Sequence, residues 1–180
     1  MTFYELDPDI AKIAWNRNLF NFVSECAPEV PIVRGDARLT LADAPDGIYD
    51  FIFVDAFLGA SIPVHLLTAE AMDLYFRKLK PNGVLGMHIA NRNLELSTVV
   101  ADVGKSKGLI VRIYDGGDVQ EDASEIKWVP RVAAVARRDA GLGGLASSQY
   151  WPLRNGDSNR RVWTDDYSNI AGAMLAKLRE

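Results

Sequence analysis

Within Ile32 to Thr68 an apolar run of strand character twice leads into a carboxylate: Pro31 to Asp36 (PIVRGD) and Tyr49 to Asp55 (YDFIFVD). Phe3-Tyr4-Glu5 repeats the pattern at the start of the chain. Short apolar runs bounded by turn residues read as buried strands of a parallel sheet. Ligands of such sheets lie outside the carboxyl ends of the strands, so Glu5, Asp36 and Asp55 are expected to converge on one edge. The glycine-rich loop that usually serves a nucleotide or nucleoside there would precede Phe3.

The intervening segments have helical character. Asp7-Pro8 is an N-cap followed by a first-turn proline, and Ile10, Ile13, Ala14 and Phe20 then recur near helical spacing. Pro45-Asp46-Gly47 is a turn that leads into the strand Tyr49 to Val54. Ala56 to Pro63, with Gly59 and small residues, reads as a mobile loop. Thr68 is placed to cap a helix whose Ala71, Met72, Leu74, Tyr75 and Leu79 form an apolar face, ended by Lys80-Pro81-Asn82-Gly83. A strand at Val84 to Ala90, a helix over residues 94–107, strands at Leu109 to Tyr114 and Pro130 to Ala136, and a helix from Tyr167 to Leu178 complete the pattern. Asp115 to Lys127 reads as a surface loop, and residues 139–160 as a long connection pinned by Tyr150-Trp151-Pro152. Strand and helix alternate throughout, which predicts an α/β fold: a twisted, mostly parallel sheet with helices on both faces. Residues 1–180 are expected to be one domain.

Composition narrows the partners. The 180 residues are 48% hydrophobic and 24% charged, enough apolar content for a substantial core. A net charge of −4 and a pI near 5.2 argue against a general nucleic-acid binder, which needs a basic face, and are compatible with a cationic substrate. The lone Cys26 cannot form an intrachain disulfide, which predicts a reducing, cytoplasmic setting. No apolar run approaches the roughly 20 residues of a membrane helix, and Glu5, Asp7 and Asp9 stand where a signal peptide would be basic and then apolar. No membrane or nucleic-acid partner is expected.

At the strand ends, Glu5 occupies the place where nucleotide-binding α/β folds hold ribose hydroxyls on a carboxylate. Gly35-Asp36-Ala37 sets an acid between two small residues, where a flat adenine can approach the backbone and donate its exocyclic amine to Asp36. Asp55 ends the most apolar strand, and such a carboxylate is suited to hold an ammonium group and take its proton. Asp7 is read as a helix cap and Arg38 as a surface or ion-pair arginine. His65 and His88 have no Cys or His partner at metal-ligand spacing, so no metal is expected, and both are read as hydrogen-bonded structural histidines. No serine lies in a strand-to-helix elbow. Gly141-Leu142-Gly143-Gly144 follows the last strand, the wrong context for a cofactor loop, and is read as a linker.

With these residues in view, the chain resembles the spermidine synthase family, the polyamine aminopropyltransferases, and within it the bacterial spermidine synthase-like branch. The likeness is carried by FYELDPDIAKIA, VRGDARLTLA, YDFIFVDAFLGASIPVHLLTAEAMDLYFRKLKPNGVLGMHIANR and VWTDDYSNI, over most of residues 3–137 and 162–170. It implies a Rossmann-like, class I methyltransferase-type fold with strand order 3-2-1-4-5-7-6. It also implies transfer of an aminopropyl group from decarboxylated S-adenosylmethionine to a diamine such as putrescine, in polyamine biosynthesis, without a metal. A homodimer is an allowed assembly. By this resemblance Glu5 binds the donor's ribose, Asp36 with Ala37 the adenine, and Asp55 is the base for the attacking amine. The run Trp163 to Asn169 is expected to pack near the site, with Asp165 capping the terminal helix and Asp166 and Tyr167 as further candidates for substrate contact.

Two departures accompany the likeness. The family's first strand and glycine-rich loop would precede Phe3; that strand is central in the order above, so the strands ending at Glu5 and Asp55 lack the one between them. Leu58 and Ala60 stand where family members commonly carry a second acid. An S-adenosylmethionine-dependent methyltransferase on the same fold, and a catalytically silent relative that binds a nucleoside or a partner chain, stay open as alternatives.

Overall fold

The computed structural model describes residues 1–56, 63–116 and 130–179; most of the loop expected at Ala56 to Pro63 and of that at Asp115 to Lys127 lies outside them. The chain divides into two compact units, Met1–Pro45 and Asp46–Glu180.

The first unit holds β1 (Phe3–Glu5), α1 (Pro8–Trp15), a single π turn (Phe22–Cys26), β2 (Ile32–Arg34) and α2 (Ala37–Ala42). β1 and β2 pair in parallel, Phe3 with Ile32 and Glu5 with Arg34. Asp7 caps α1 as its sequence predicts, accepting from the Asp9 amide at 2.8 Å with Pro8 at the first helical position. The helix stops at Trp15 rather than continuing to Phe20, and the Asn16 N–H bonds back to the Ile13 carbonyl. Gly35 has φ +130°, a conformation L side chains rarely adopt, and it turns the chain from β2 into α2. Ala11, Val23 and Leu41 are the buried apolar residues of this unit, while Ile10, Leu19, Phe20, Phe22 and Leu39 are exposed.

The second unit holds β3 (Tyr49–Val54), α3 (Ala69–Lys78), β4 (Leu79–His88), α4 (Ser97–Ser106), β5 (Ile110–Asp115), β6 (Arg131–Ala136), α5 (Asp139–Leu142) and α6 (Ile170–Lys177). Its strands run in the order β3-β4-β6-β5. β3 and β4 are parallel, whereas β6 is antiparallel to both of its neighbours, so the sheet is mixed. Alternation along the strands separates two faces. Leu85, Met87, Val111, Val135 and Ala133 share one, which α4 covers: a Cβ at Gly104 of α4 would collide with Val111. Ala134 and Ala136 face the other way and pack with Leu142, Leu145 and Trp151, so residues 139–151, within the stretch expected to be a long connection and including the glycine cluster read as a linker, supply a helix and a 3₁₀ turn (Gly143–Ser147) that cover the second face. The α/β architecture with helices on both faces is present here. Among the described residues no helix is long and apolar enough to cross a membrane.

β3 is the outer strand of this sheet. Its Phe51 and Phe53 rings stack with centroids 6.0 Å apart and lie over Gly86, where a Cβ would come within 2.7 Å of Phe53. Glycine is needed there so that the two rings can lie flat on β4, yet both remain half-exposed.

Candidate functional site

At the carboxyl edge of the second unit, Val54 and Met87 are the last residues that β3 and β4 pair with each other. Asp55 and His88 are the next residues out on two parallel strands, and their side chains meet: His88 Nδ1 lies 2.8 Å from Asp55 Oδ1. His88 is also paired with Val132, and the Ile89 amide donates to the Arg131 carbonyl at 2.8 Å, which fixes the end of β4 against β6. Because β6 runs antiparallel, its first residue, Arg131, stands at the same edge. Arg131 forks onto Asp115 at the end of β5, with Nε to Oδ1 at 2.6 Å and an outer guanidinium nitrogen to Oδ2 at 3.0 Å, and its third nitrogen is 3.8 Å from Glu95.

Glu95 is buried, and its charge is compensated locally. Its two oxygens accept from the Ser97 and Thr98 amides at 2.9 and 3.0 Å, so it caps α4 from the residue before the N-cap position while facing Arg131. Asn91, in the loop leaving β4, accepts from the Asn93 and Leu94 amides, and its Nδ2 is buried without a partner among the described residues.

Glu5 and Asp36 lie together in the first unit, at the carboxyl ends of the paired strands β1 and β2. Each already serves the backbone. Glu5 Oε1 accepts from the Asp7 amide at 2.8 Å, and Asp36 Oδ1 caps α2 by accepting from the Arg38 and Leu39 amides at 2.9 and 3.1 Å. Ala37 is the first residue of that helix and is half-buried.

The run Trp163 to Asn169 docks on the start of α3. Trp163 is 4% exposed, its carbonyl accepts from the Ala69 amide at 2.9 Å, and the Thr68 hydroxyl donates to Asp165 at 2.8 Å. Asp165 is therefore not the cap of the terminal helix. A tight turn in which Thr164 and Tyr167 exchange backbone hydrogen bonds delays α6 to Ile170, and Asn169 caps it by accepting from the Gly172 amide at 2.9 Å. Asp166 is exposed; the half-buried Tyr167 carries the Arg161 guanidinium 3.7 Å above its ring. No hydrogen bond or ion pair joins Asp55 to Asp166 or Tyr167 among the described residues.

Sequence reasoning placed His88 inside a strand and so missed its meeting with Asp55. β4 ends at His88, two residues before the expected end at Ala90, and this brings His88 to the strand end beside Asp55. An open cleft of about 780 Å³ at the opposite, amino edge is lined by Asp46, Arg77, Arg137 and Arg138. Its arginines are occupied by the protein itself, Arg77 by Asp46 at 3.7 Å, Arg137 by the Lys80 carbonyl at 2.8 Å and Arg138 by Asn82 at 2.9 Å.

Solved structures share this architecture. A probable spermidine synthase from Corynebacterium glutamicum ATCC 13032 superposes with a TM-score of 0.59 at 18% identity, over 93% of this chain and 64% of that one. The spermidine synthase from Thermotoga maritima gives 0.55 at 14% identity, over 98% of this chain and 55% of that one. A spermidine synthase in complex with the transition-state analogue AdoDATO gives 0.53 at 14% identity, with the same coverage of 98% and 55%. The chain has a spermidine synthase-like fold. It spans roughly 55 to 64% of the length of these proteins. No protein-family model and no curated protein matches the sequence.

The spermidine synthase-like fold accounts for the strand arrangement. In the order 3-2-1-4-5-7-6, the pair β1-β2 corresponds to 2 and 3, and β3-β4-β6-β5 to 4-5-7-6, with β6 in the place of strand 7.

Proposed function

We propose that the chain is an aminopropyltransferase-type protein that uses decarboxylated S-adenosylmethionine as donor and an amine, such as the diamine putrescine, as acceptor. The observation that carries this reading is Asp55, held at the carboxyl end of β3 in a spermidine synthase-like fold and turned towards a neighbouring side chain rather than into a helix cap. An alkyl amine with a pKa near 10.4 is almost wholly protonated at neutral pH, so its lone pair must be freed before it attacks. A carboxylate beside it attracts the cation and accepts the proton. The amine nitrogen then bonds to the carbon next to the sulfonium, the carbon–sulfur bond breaks, and methylthioadenosine leaves with the electron pair. In this reading Glu5 binds the ribose, Asp36 with Ala37 the adenine, and Asp166 and Tyr167 contribute to the substrate pocket.

A second reading, a nucleoside- or partner-binding protein without turnover, draws support from Glu5 and Asp36, each of which has an oxygen committed to backbone amides. A paired assay of turnover and donor affinity separates the two. Asp55→Asn keeps the shape of the side chain but removes the charge and the base, and is expected to lower the rate about 10² to 10⁴-fold with little change in nucleoside affinity. Glu5→Gln is expected to weaken donor binding instead, because the ribose hydroxyls lose a charged acceptor. Turnover by Asp55→Asn at the parental rate would remove Asp55 from the mechanism.

A further inference from the structure

We propose that His88 is a positioning residue for Asp55, its Nδ1–H holding one carboxylate oxygen so that the other is presented to the attacking amine. The inference rests on the reading of Asp55 as the base for that amine.

An ionised carboxylate only accepts hydrogen bonds. A neutral His88 in contact with Asp55 Oδ1 at 2.8 Å therefore carries its hydrogen on Nδ1. Asp55 follows the last residue of β3, its side chain is 55% exposed, and it has no other partner among the described residues. Left alone, such a carboxylate rotates about both side-chain torsions. The imidazole is a rigid ring on a backbone that is itself fixed, by the pairing of His88 with Val132 and the hydrogen bond from Ile89 to Arg131. One contact from this ring turns a rotating carboxylate into an oriented one, and orientation of a reacting group is worth large factors in rate. Arg131, at the same edge, is engaged by Asp115 and Glu95.

The proton balance is simple. The amine N–H breaks, its proton goes to Asp55 Oδ2, and the nitrogen lone pair forms the new carbon–nitrogen bond as the carbon–sulfur bond opens. His88 keeps its Nδ1–H throughout.

Two measurements on the 180-residue chain test this. His88→Phe keeps a ring but removes the donor, and is expected to lower kcat about 10- to 100-fold while the acceptor KM and the affinity for methylthioadenosine stay close to parental. His88→Asn places an amide N–H where Nδ1–H was and is expected to recover most of that loss, a rescue that a merely space-filling role would not give. Long-range ¹H–¹⁵N spectra of the imidazole in mildly alkaline buffer read the tautomer without turnover; the Nδ1–H form is expected in the parent and the Nε2–H form in Asp55→Ala. An Nε2–H parent, or parental kcat in His88→Phe, overturns the proposal and leaves Asp55 as base intact. Parental turnover in Asp55→Asn, or none in the parent, overturns the functional reading itself and the proposal with it.

Discussion

Acidic side chains at turn and strand ends answer to different local demands. Asp7 and Asp36 accept backbone amides and start helices, Asp55 reaches across to His88, and Asp157 folds back on its own loop, accepting from the Asn159 amide at 2.9 Å. That amide, with help from the Arg160 guanidinium, holds the Asp157 carboxyl below its ordinary value of 3.8. A depressed carboxylate contributes stability while it is ionised, so the contribution is complete above the ordinary value and is lost as acid protonates the group below it. The Asn159 amide resonance, followed through an acid titration, is expected to shift with a midpoint below pH 3.8, and a midpoint at or above that value would contradict the assignment. Which of these roles could be read in advance depends on how local the cause is. Asp7 was legible because Asp-Pro at a helix start explains itself within three residues. The role of His88 was not, because it depends on the register of β4 against β3, a pairing of residues 33 positions apart.

Elements show the same division between local and distant causes. β3 and α3 begin where the apolar run and the Thr68 cap place them, whereas β4 runs Leu79–His88: Leu79, expected on the apolar face of α3, and Lys80 to Gly83, expected as the end of that helix, are already strand. α6 begins later than its apolar pattern suggests because Thr164 and Tyr167 close a turn first, and α5 lies in a stretch whose glycines conceal a buried Leu142. Thr68 serves two elements at once: its hydroxyl accepts from the Ala71 amide at 3.3 Å as the cap of α3, and it donates to Asp165 at 2.8 Å. Thr68→Ala removes both and leaves a buried amide without its acceptor. The expected cost is about 1 to 2 kcal/mol by chemical denaturation, with looser docking of Trp163 seen as a change in tryptophan emission. A cost near zero, with unchanged emission, would mean that the remaining hydrogen bonds, Ala69 N–H to the Trp163 carbonyl and Asp165 N–H to Glu70, fix the segment without Thr68.

At the scale of the whole molecule the strands form two blocks, β1-β2 in the first unit and β3-β4-β6-β5 in the second. Most of the buried apolar side chains belong to the second unit, on α3, β4, α4 and β6, where long apolar runs made the core legible; three belong to the first, whose short strands bury little. The proposed aminopropyl transfer rests on the sequence likeness and on Asp55 at the carboxyl end of β3. The most direct test is to incubate the 180-residue chain with decarboxylated S-adenosylmethionine and putrescine and identify the products by mass spectrometry. The account predicts methylthioadenosine and an amine heavier by one aminopropyl group, in equal amounts; a methylated product, or unchanged donor and amine, would contradict it.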